Sequence, residues 1–151
     1  MAIRFYGAGN EFSNFYALPT EIDGKIWPTT EHYFQAQKFP DDPEYAEAIY
    51  NCGPPSNALA MGRSRPYRAD WEDVKDNVMR RGVAAKFSQH KRLERLLLST
   101  GDEEIVEDAP GDYHWGAGSD GSGLNMLGKI LMEVRDALRN GNIATYQAGL
   151  R

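Results

Sequence analysis

Glu31, Gln35 and Lys38 stand at i, i+4 and i+7 in the stretch Trp27-Pro28-Thr29-Thr30-Glu31-His32-Tyr33-Phe34-Gln35-Ala36-Gln37-Lys38-Phe39. On a helix advancing roughly 100° per residue they project within about 60° of one another. A carboxyl can give or take a proton, and a lysine amine with a depressed pKa can act as a nucleophile. Set among Tyr33, Phe34 and Phe39, such a stripe suits a site for a polar small molecule. A solvated surface face would show the same stripe, so its surroundings must decide.

The elements that position these residues follow from the pattern of the chain. Ile3 to Tyr6 reads as a short strand, followed by a Gly7-Ala8-Gly9-Asn10 turn. Asn14 then lies between Phe12 and Phe15-Tyr16, where burial would require hydrogen-bond partners that a ligand could supply. Leu18 to Thr29 reads as a hairpin turned at Asp23-Gly24, a dipeptide suited to a type I′ turn. Pro28 opens the helix of the stripe, capped by Thr29 or Thr30. Glu44 to Tyr50 forms a second short helix, and Ser56 caps a third through Met61. Asp70 is placed as N-cap of a long helix in which Trp71, Val74, Val78 and Ala85 recur at helical spacing. Gly82 within it marks close packing. Lys91 to Leu98 gives a further helix, stopped by Thr100-Gly101.

The C-terminal third holds two more candidate segments. Glu103 to Asp108 reads as a strand; if Ile105 points inward, Glu107 does too, and if Val106 does, Glu107 is a surface acid. A carboxylate facing a core is costly unless paired or employed. After the Pro110-Gly111 turn come Asp112, Tyr113, His114 and Trp115, then a run rich in glycine. Leu124, Leu127, Ile130, Leu131, Val134 and Leu138 give the last strong helix an apolar stripe, ended by Asn140-Gly141. Gly116, Gly118 and Gly121 match G-x-G-x-x-G, but a Rossmann fold needs its glycines after the first strand and further strands beyond the helix. What the run retains is either an anion site at a helix N-terminus or a plain turning connection.

Composition bounds the rest. The 151 residues suit a single domain with its own core. No apolar run approaches the roughly 20 residues of a membrane span, and Met1 to Tyr6 lacks a signal-peptide core. One cysteine, Cys52, excludes an internal disulfide and favours a reducing, cytoplasmic setting. Three scattered histidines give no metal-ligand spacing, so neither a metal nor another cofactor is expected. The net charge of −5 argues against an indiscriminate nucleic-acid binder. From Arg63 to Arg95, however, ten Lys/Arg face five Asp/Glu. That segment is either two solvated helices or a basic rim for a phosphorylated ligand. The expectation is one α+β, helix-rich domain over residues 1–140, with a short N-terminal hairpin and small sheet, and a tail over 141–151.

Phe12 to Tyr16 and Trp27 to Phe39 resemble the opening motifs of the NADAR (YbiA-like) family. The resemblance continues through Gly62-Arg63, Arg68-Ala69-Asp70-Trp71, Ala85-Lys86-Phe87, Leu97 to Gly101 and Val106 to Pro110. Asp112, Trp115 to Gly118 and Gly123 to Arg135 complete it, in the family's order and over nearly the whole chain. The resemblance implies an N-glycosidase cutting a bond between ribose C1 and nitrogen. Its substrates would be ADP-ribose on guanine in nucleic acid or phosphoribosylamino-pyrimidine intermediates of riboflavin synthesis. Between Trp115 and Gly123 this chain lacks the tryptophan-containing insertion of longer relatives. A shorter loop there favours the bulkier ADP-ribosyl conjugate.

Such a reaction needs stabilised positive charge at C1 and a proton for the leaving nitrogen. On that reading Lys38 is the nucleophile, forming a Schiff base with the opened sugar, its pKa lowered by aromatic and basic neighbours. Glu31, roughly 10 Å of helical rise away, is the general acid/base or holds the ribose hydroxyls. Glu107 and Asp112 are further acids, catalytic or orienting. Asn14, Gln35, Trp71 and Trp115 would bind substrate, and Gly116, Gly118 and Asn125 would frame its pyrophosphate or ribose. Arg63, Arg4 and Arg68 are candidate phosphate contacts, Arg63 before the others. The competing class is a module that binds ADP-ribose or NAD without cutting it.

Overall fold

The computed structural model describes residues 1–150. It is an α+β domain of two small sheets and seven helices. β1 (Ile3–Phe5) pairs in parallel with β4 (Ile105–Glu107), setting Ile3 beside Ile105 and Phe5 beside Glu107. β2 (Thr20–Ile22) and β3 (Lys25–Trp27) form the antiparallel hairpin. Asp23 and Gly24 both have positive φ, 53° and 84°, as the type I′ turn requires.

The helices are α1 (Thr30–Ala36), α2 (Pro43–Tyr50), α3 (Pro55–Gly62), α4 (Trp71–Gln89), α5 (Lys91–Leu98), α6 (Met126–Arg139) and α7 (Ile143–Ala148). The core lies where α4, α5 and α6 meet β4, and includes Met79, Phe87, Leu93, Leu97, Ile105, Leu127, Ile130 and Leu131. α1 is buried along its whole length, packed against α2, α3 and α4. Thr29 caps it, its hydroxyl accepting from the His32 amide at 3.1 Å. The neutral His32 ring is held between the Thr29 hydroxyl and the Gly53 carbonyl, at 2.7 and 2.8 Å. Burial keeps its pKa below the usual imidazole value. At Gly82 a β-carbon would lie 3.0 Å from Thr30 Cγ2 and 3.2 Å from Tyr33, so α4 passes α1 at close range.

Several local expectations are corrected. α1 ends at Ala36, not beyond Lys38, because Pro40 disfavours helical backbone at Phe39. The chain tightens instead, with Lys38 N–H donating to the Gln35 carbonyl at 3.2 Å and Phe39 N–H to that of Ala36 at 3.1 Å. Ser56 lies inside α3, which starts on Pro55, the position where a missing N–H costs nothing. Asp70 precedes α4 but makes no side-chain cap, since its carboxylate grips the Arg68 guanidinium at 2.6 and 2.9 Å. Leu124 is exposed and precedes α6, so it does not belong to the apolar stripe. Within the C-terminal tail, whose order the sequence left open, residues 143–148 form α7, packed on α4 and α6.

The seat of α6 on β4 is set by Gly128. A β-carbon there would come within 2.1 Å of the Ile105 carbonyl oxygen and 2.4 Å of the Asn125 side-chain amide. Gly128→Ala must therefore push the two elements apart. It is expected to cost about 1–3 kcal/mol, read as a lower urea midpoint, and to reduce activity by displacing Asn125. An unchanged midpoint would rule out so close a contact.

Candidate active site

Four segments converge on one cavity of about 210 Å³. α1 and the turn after it supply Glu31, Gln35 and Lys38. The loop after β1 supplies Asn14, and α4 supplies Trp71, Lys75 and Met79. The end of β4 and the loop beyond bring Glu107, Asp112 and Trp115. Arg63, just past α3, stands exposed at the rim. A wider cavity of about 700 Å³ adjoins the first, and Arg63, Glu107, Asp112 and Trp115 border both.

The ionisable side chains of the site are fixed by neutral partners. Glu31 is buried, and its carboxylate accepts from Gln35 Nε2 at 2.7 Å. Its backbone N–H donates to the Asn14 carbonyl at 3.1 Å, which joins the aromatic loop to α1. Asn14 Nδ2 in turn donates to Met79 Sδ at 3.3 Å. That loop is held from below by the buried Lys86, which donates to the Glu11 and Ser13 carbonyls at 2.6 and 2.9 Å. Lys38 Nζ donates to the Gly62 carbonyl at 3.3 Å and lies 5.1 Å from the Tyr67 ring centre and 5.7 Å from that of Trp71. Trp115 meets Phe34 edge-on at 5.3 Å. The Asp112 carboxylate turns inward to its own loop, accepting from the His114 and Trp115 amides at 3.0 and 2.8 Å.

Burial sets the protonation states. It lifts the Glu31 carboxyl from 4.5 to about 7, against the pull of Gln35, Lys38 and Arg63 and with a push from Asp112. Glu107 is likewise raised to about 7, by burial first and then by Asp112 and Glu31. Lys38 is held below the usual amine range by burial, which outweighs the attraction of Glu31 and is joined by Arg63 and Lys75. Desolvation disfavours the charged form of each group, so acids move up and the amine moves down. Burial thus pushes the two acids and the amine towards their neutral forms within one cavity.

Five expected site residues do not line the cavity. Arg4 lies on the outside of β1, facing Asp108 at 3.5 Å. The glycine run is mostly a closed connection, because most of its backbone donors are committed within the protein. Ala117 and Gly118 donate to the Glu107 and Ala109 carbonyls, and Gly123 to that of Ala117. The Gly116 carbonyl accepts from Asn125 N–H at 3.0 Å. Asn125, with φ of 51°, instead extends the edge of β4. Its Oδ1 accepts from Glu107 N–H and its Nδ2 donates to the Ile105 carbonyl, both at 2.9 Å. Ala117 and Asn125 thus hold Glu107 in place, and the Gly116 carbonyl fixes Asn125. Arg68 is engaged by Asp70 and likewise lies outside the cavity. Lys75 and Met79 were missed, although they follow Trp71 at steps of four along one helix face, a signal present in the sequence.

The NADAR domain family model matches residues 4–139. The chain belongs to the NADAR family. N-glycosidase YbiA of Escherichia coli strain K12 is 49% identical over 141 residues, covering 90% of this chain and 88% of that protein. The NMR structure of the E. coli protein YbiA superposes with a TM-score of 0.85 at 47% identity, covering 94% of this chain and 87% of that one. The riboflavin biosynthesis protein VVA0006 of Vibrio vulnificus is 42% identical over 129 residues, which are 84% of this chain but 35% of that protein. The NADAR domain described here therefore also occurs within a longer chain.

The raised carboxyls of this NADAR domain make its stability depend on pH. A carboxyl whose folded pKa lies above 4.5 binds its proton more tightly in the folded state, so its stabilising effect is present below 4.5. It is lost as pH rises through about 7. Glu31→Gln is neutral at every pH and can still accept from Gln35. It is expected to gain on the order of 3 kcal/mol over the parent at pH 8 and little at pH 4.5, in urea unfolding. A parent whose midpoint does not fall between these pH values would overturn the assignment.

Proposed function

We propose that the protein is an N-glycosidase that hydrolyses a ribose C1–N bond, and that it removes ADP-ribose from guanine bases in DNA or RNA. The observation that carries this reading is the pairing, within one cavity, of carboxyls raised to about 7 with an amine held below its usual range. A neutral amine can attack C1 while a protonated acid serves the leaving nitrogen, two states that water would not favour together. Two relatives of the chain carry names consistent with C1–N chemistry. The size of the adjoining cavity favours the bulkier ADP-ribosyl conjugate. The name of the Vibrio relative favours a second reading, in which the substrate is a phosphoribosylamino-pyrimidine.

In the proposed reaction the ribose occupies the inner cavity. Glu107, which borders both cavities, gives its proton to the leaving nitrogen as the C1–N bond breaks and its electron pair departs with nitrogen. Lys38 Nζ then bonds to C1 and passes a proton to Glu31. Glu31 returns that proton to the ring oxygen as the C1–O bond opens, leaving a Schiff base between C1 and Lys38. Water adds to the imine carbon and its proton restores Glu107. Collapse of the carbinolamine frees the aldose and regenerates the amine. Arg63, with no carboxylate within 4 Å among the described residues, is placed to meet a substrate phosphate at the rim.

Reaction of the protein with an ADP-ribosylated guanine oligonucleotide in the presence of borohydride should reduce the imine. Mass spectrometry should then find a stable adduct on Lys38. Lys38→Ala should yield none and lose turnover by a factor on the order of 10³ or more. Full turnover in that variant would overturn the covalent route, and binding without release of ADP-ribose would leave only a binding module. The same assay with a phosphoribosylamino-pyrimidine ranks the two substrates.

The pH profile tests the acid. Turnover should fall as pH rises past about 7, where Glu107 loses its proton. Glu107→Gln should lower kcat by about 10²–10⁴ and abolish that alkaline limb. A limb that persists unchanged in the variant would exclude Glu107 as the proton donor.

A further inference from the structure

The two joined cavities differ in character. The inner one holds the ionisable groups and has about 210 Å³. That is below the roughly 300–1,000 Å³ usual for a whole small-molecule ligand, so a sugar fits there and the remainder of the substrate must lie elsewhere. The outer cavity, about 700 Å³, opens from the first across Glu107, Asp112 and Trp115 and is flanked by Tyr6, Phe15 and Tyr113. Lys38 and Glu31 border the inner cavity and not the outer one, whereas Glu107 and Asp112 stand at the neck.

Tyr113 is unusual among these aromatics because it is half exposed yet fixed. Its ring lies flat on the chain at Gly118, where a β-carbon would come within 2.3 Å of ring atom Cε1. Gly118 has φ of 74°, so no other residue is easily placed beneath the ring. The phenol oxygen meets Ser119 Oγ at 2.7 Å and accepts from Ser119 N–H at 3.3 Å. The Tyr113 carbonyl accepts from Leu124 N–H at 2.9 Å. An aromatic ring held at its face, its tip and its backbone, with surface left open to a cavity, loses little freedom when a second ring stacks on it.

We infer that the outer cavity is the leaving-group subsite and that Tyr113 is its stacking platform, taking a planar heteroaromatic base. This rests on the proposed N-glycosidase reading and deepens it. With the sugar in the inner cavity, the scissile bond lies at the neck and the leaving nitrogen faces Glu107. The platform also gives the glycine run a purpose: Gly118 is required to seat Tyr113, and its N–H is spent on Ala109.

The test separates binding from turnover. In ¹⁵N-labelled protein, 2′-deoxyguanosine should shift the amides of Tyr113, Gly118 and Ser119, and ribose 5-phosphate should shift those of Asn14 and Gln35. Tyr113→Ala should lose the first response and keep the second, with an unchanged melting temperature. On an N-ribosyl substrate with a purine base, Tyr113→Ala should raise KM about tenfold or more, as loss of base stacking does, with kcat changed far less. Tyr113→Phe keeps the ring and should raise KM only about two- to threefold, by freeing it from Ser119. Deoxyguanosine shifts confined to the inner cavity, or an unchanged KM in Tyr113→Ala, would overturn the subsite. Shifts at residues 113–119 in a protein that cleaves no N-ribosyl substrate would retain the subsite and remove the glycosidase reading.

Discussion

The arrangement depends on keeping Glu31 and Lys38 buried in one cavity without a salt bridge. Among the described residues no cation lies within 4 Å of the Glu31 carboxylate; its polar partner is the neutral Gln35 amide. Lys38 is directed instead to the Gly62 carbonyl. A direct ion pair would fix the proton on the lysine, leaving a charged acid and a blunt nucleophile. Separate neutral partners let burial dominate, and burial pushes both groups towards their neutral forms. The cost is a carboxyl that destabilises the fold once ionised.

That cost explains how heavily the surrounding segments are tied down. The loop carrying Asn14 has no regular structure, yet Lys86 grips it from α4 and Glu31 grips it from α1. β4 is three residues long and pairs with one short strand, too little to hold a buried acid alone. Asn125 supplies the missing ladder partners from the other side, and Gly128 lets α6 approach closely enough for it to do so. Buried Lys86, whose amine is lowered to about 7 by burial, shows the same preference for neutral carbonyl partners over an ion pair.

Much of this was legible because the relevant signals are local. The Asp23-Gly24 turn, the Thr29 cap and the helix periods of α4 and α6 each depend on a few neighbouring residues. Glu31, Gln35 and Lys38, expected on one helical face, line one cavity, although the helix stops before Lys38 and a tight turn completes it. Whether Glu107 faced inward was not legible. Ile105 and Val106 are both buried, so the alternation that would have decided it is absent. The glycine run misled for a similar reason. A sequence shows how many backbone donors a loop has, but only the fold shows that Glu107, Ala109 and Ala117 have already accepted them.

The glycine run therefore acts on the site indirectly. Its backbone closes against the end of β4, so that Glu107 is held by the residue after the run and by a carbonyl bonded within it. Gly118 at the same time makes room for Tyr113 on the outer side. One short segment thus fixes both the acid at the neck and the aromatic surface beyond it. Lengthening that segment would disturb Tyr113 first, since Glu107 is also anchored by β1 and by Asn125. A loop insertion here would consequently alter the outer cavity, while Glu31 and Lys38 on α1 and its following turn stayed where they are.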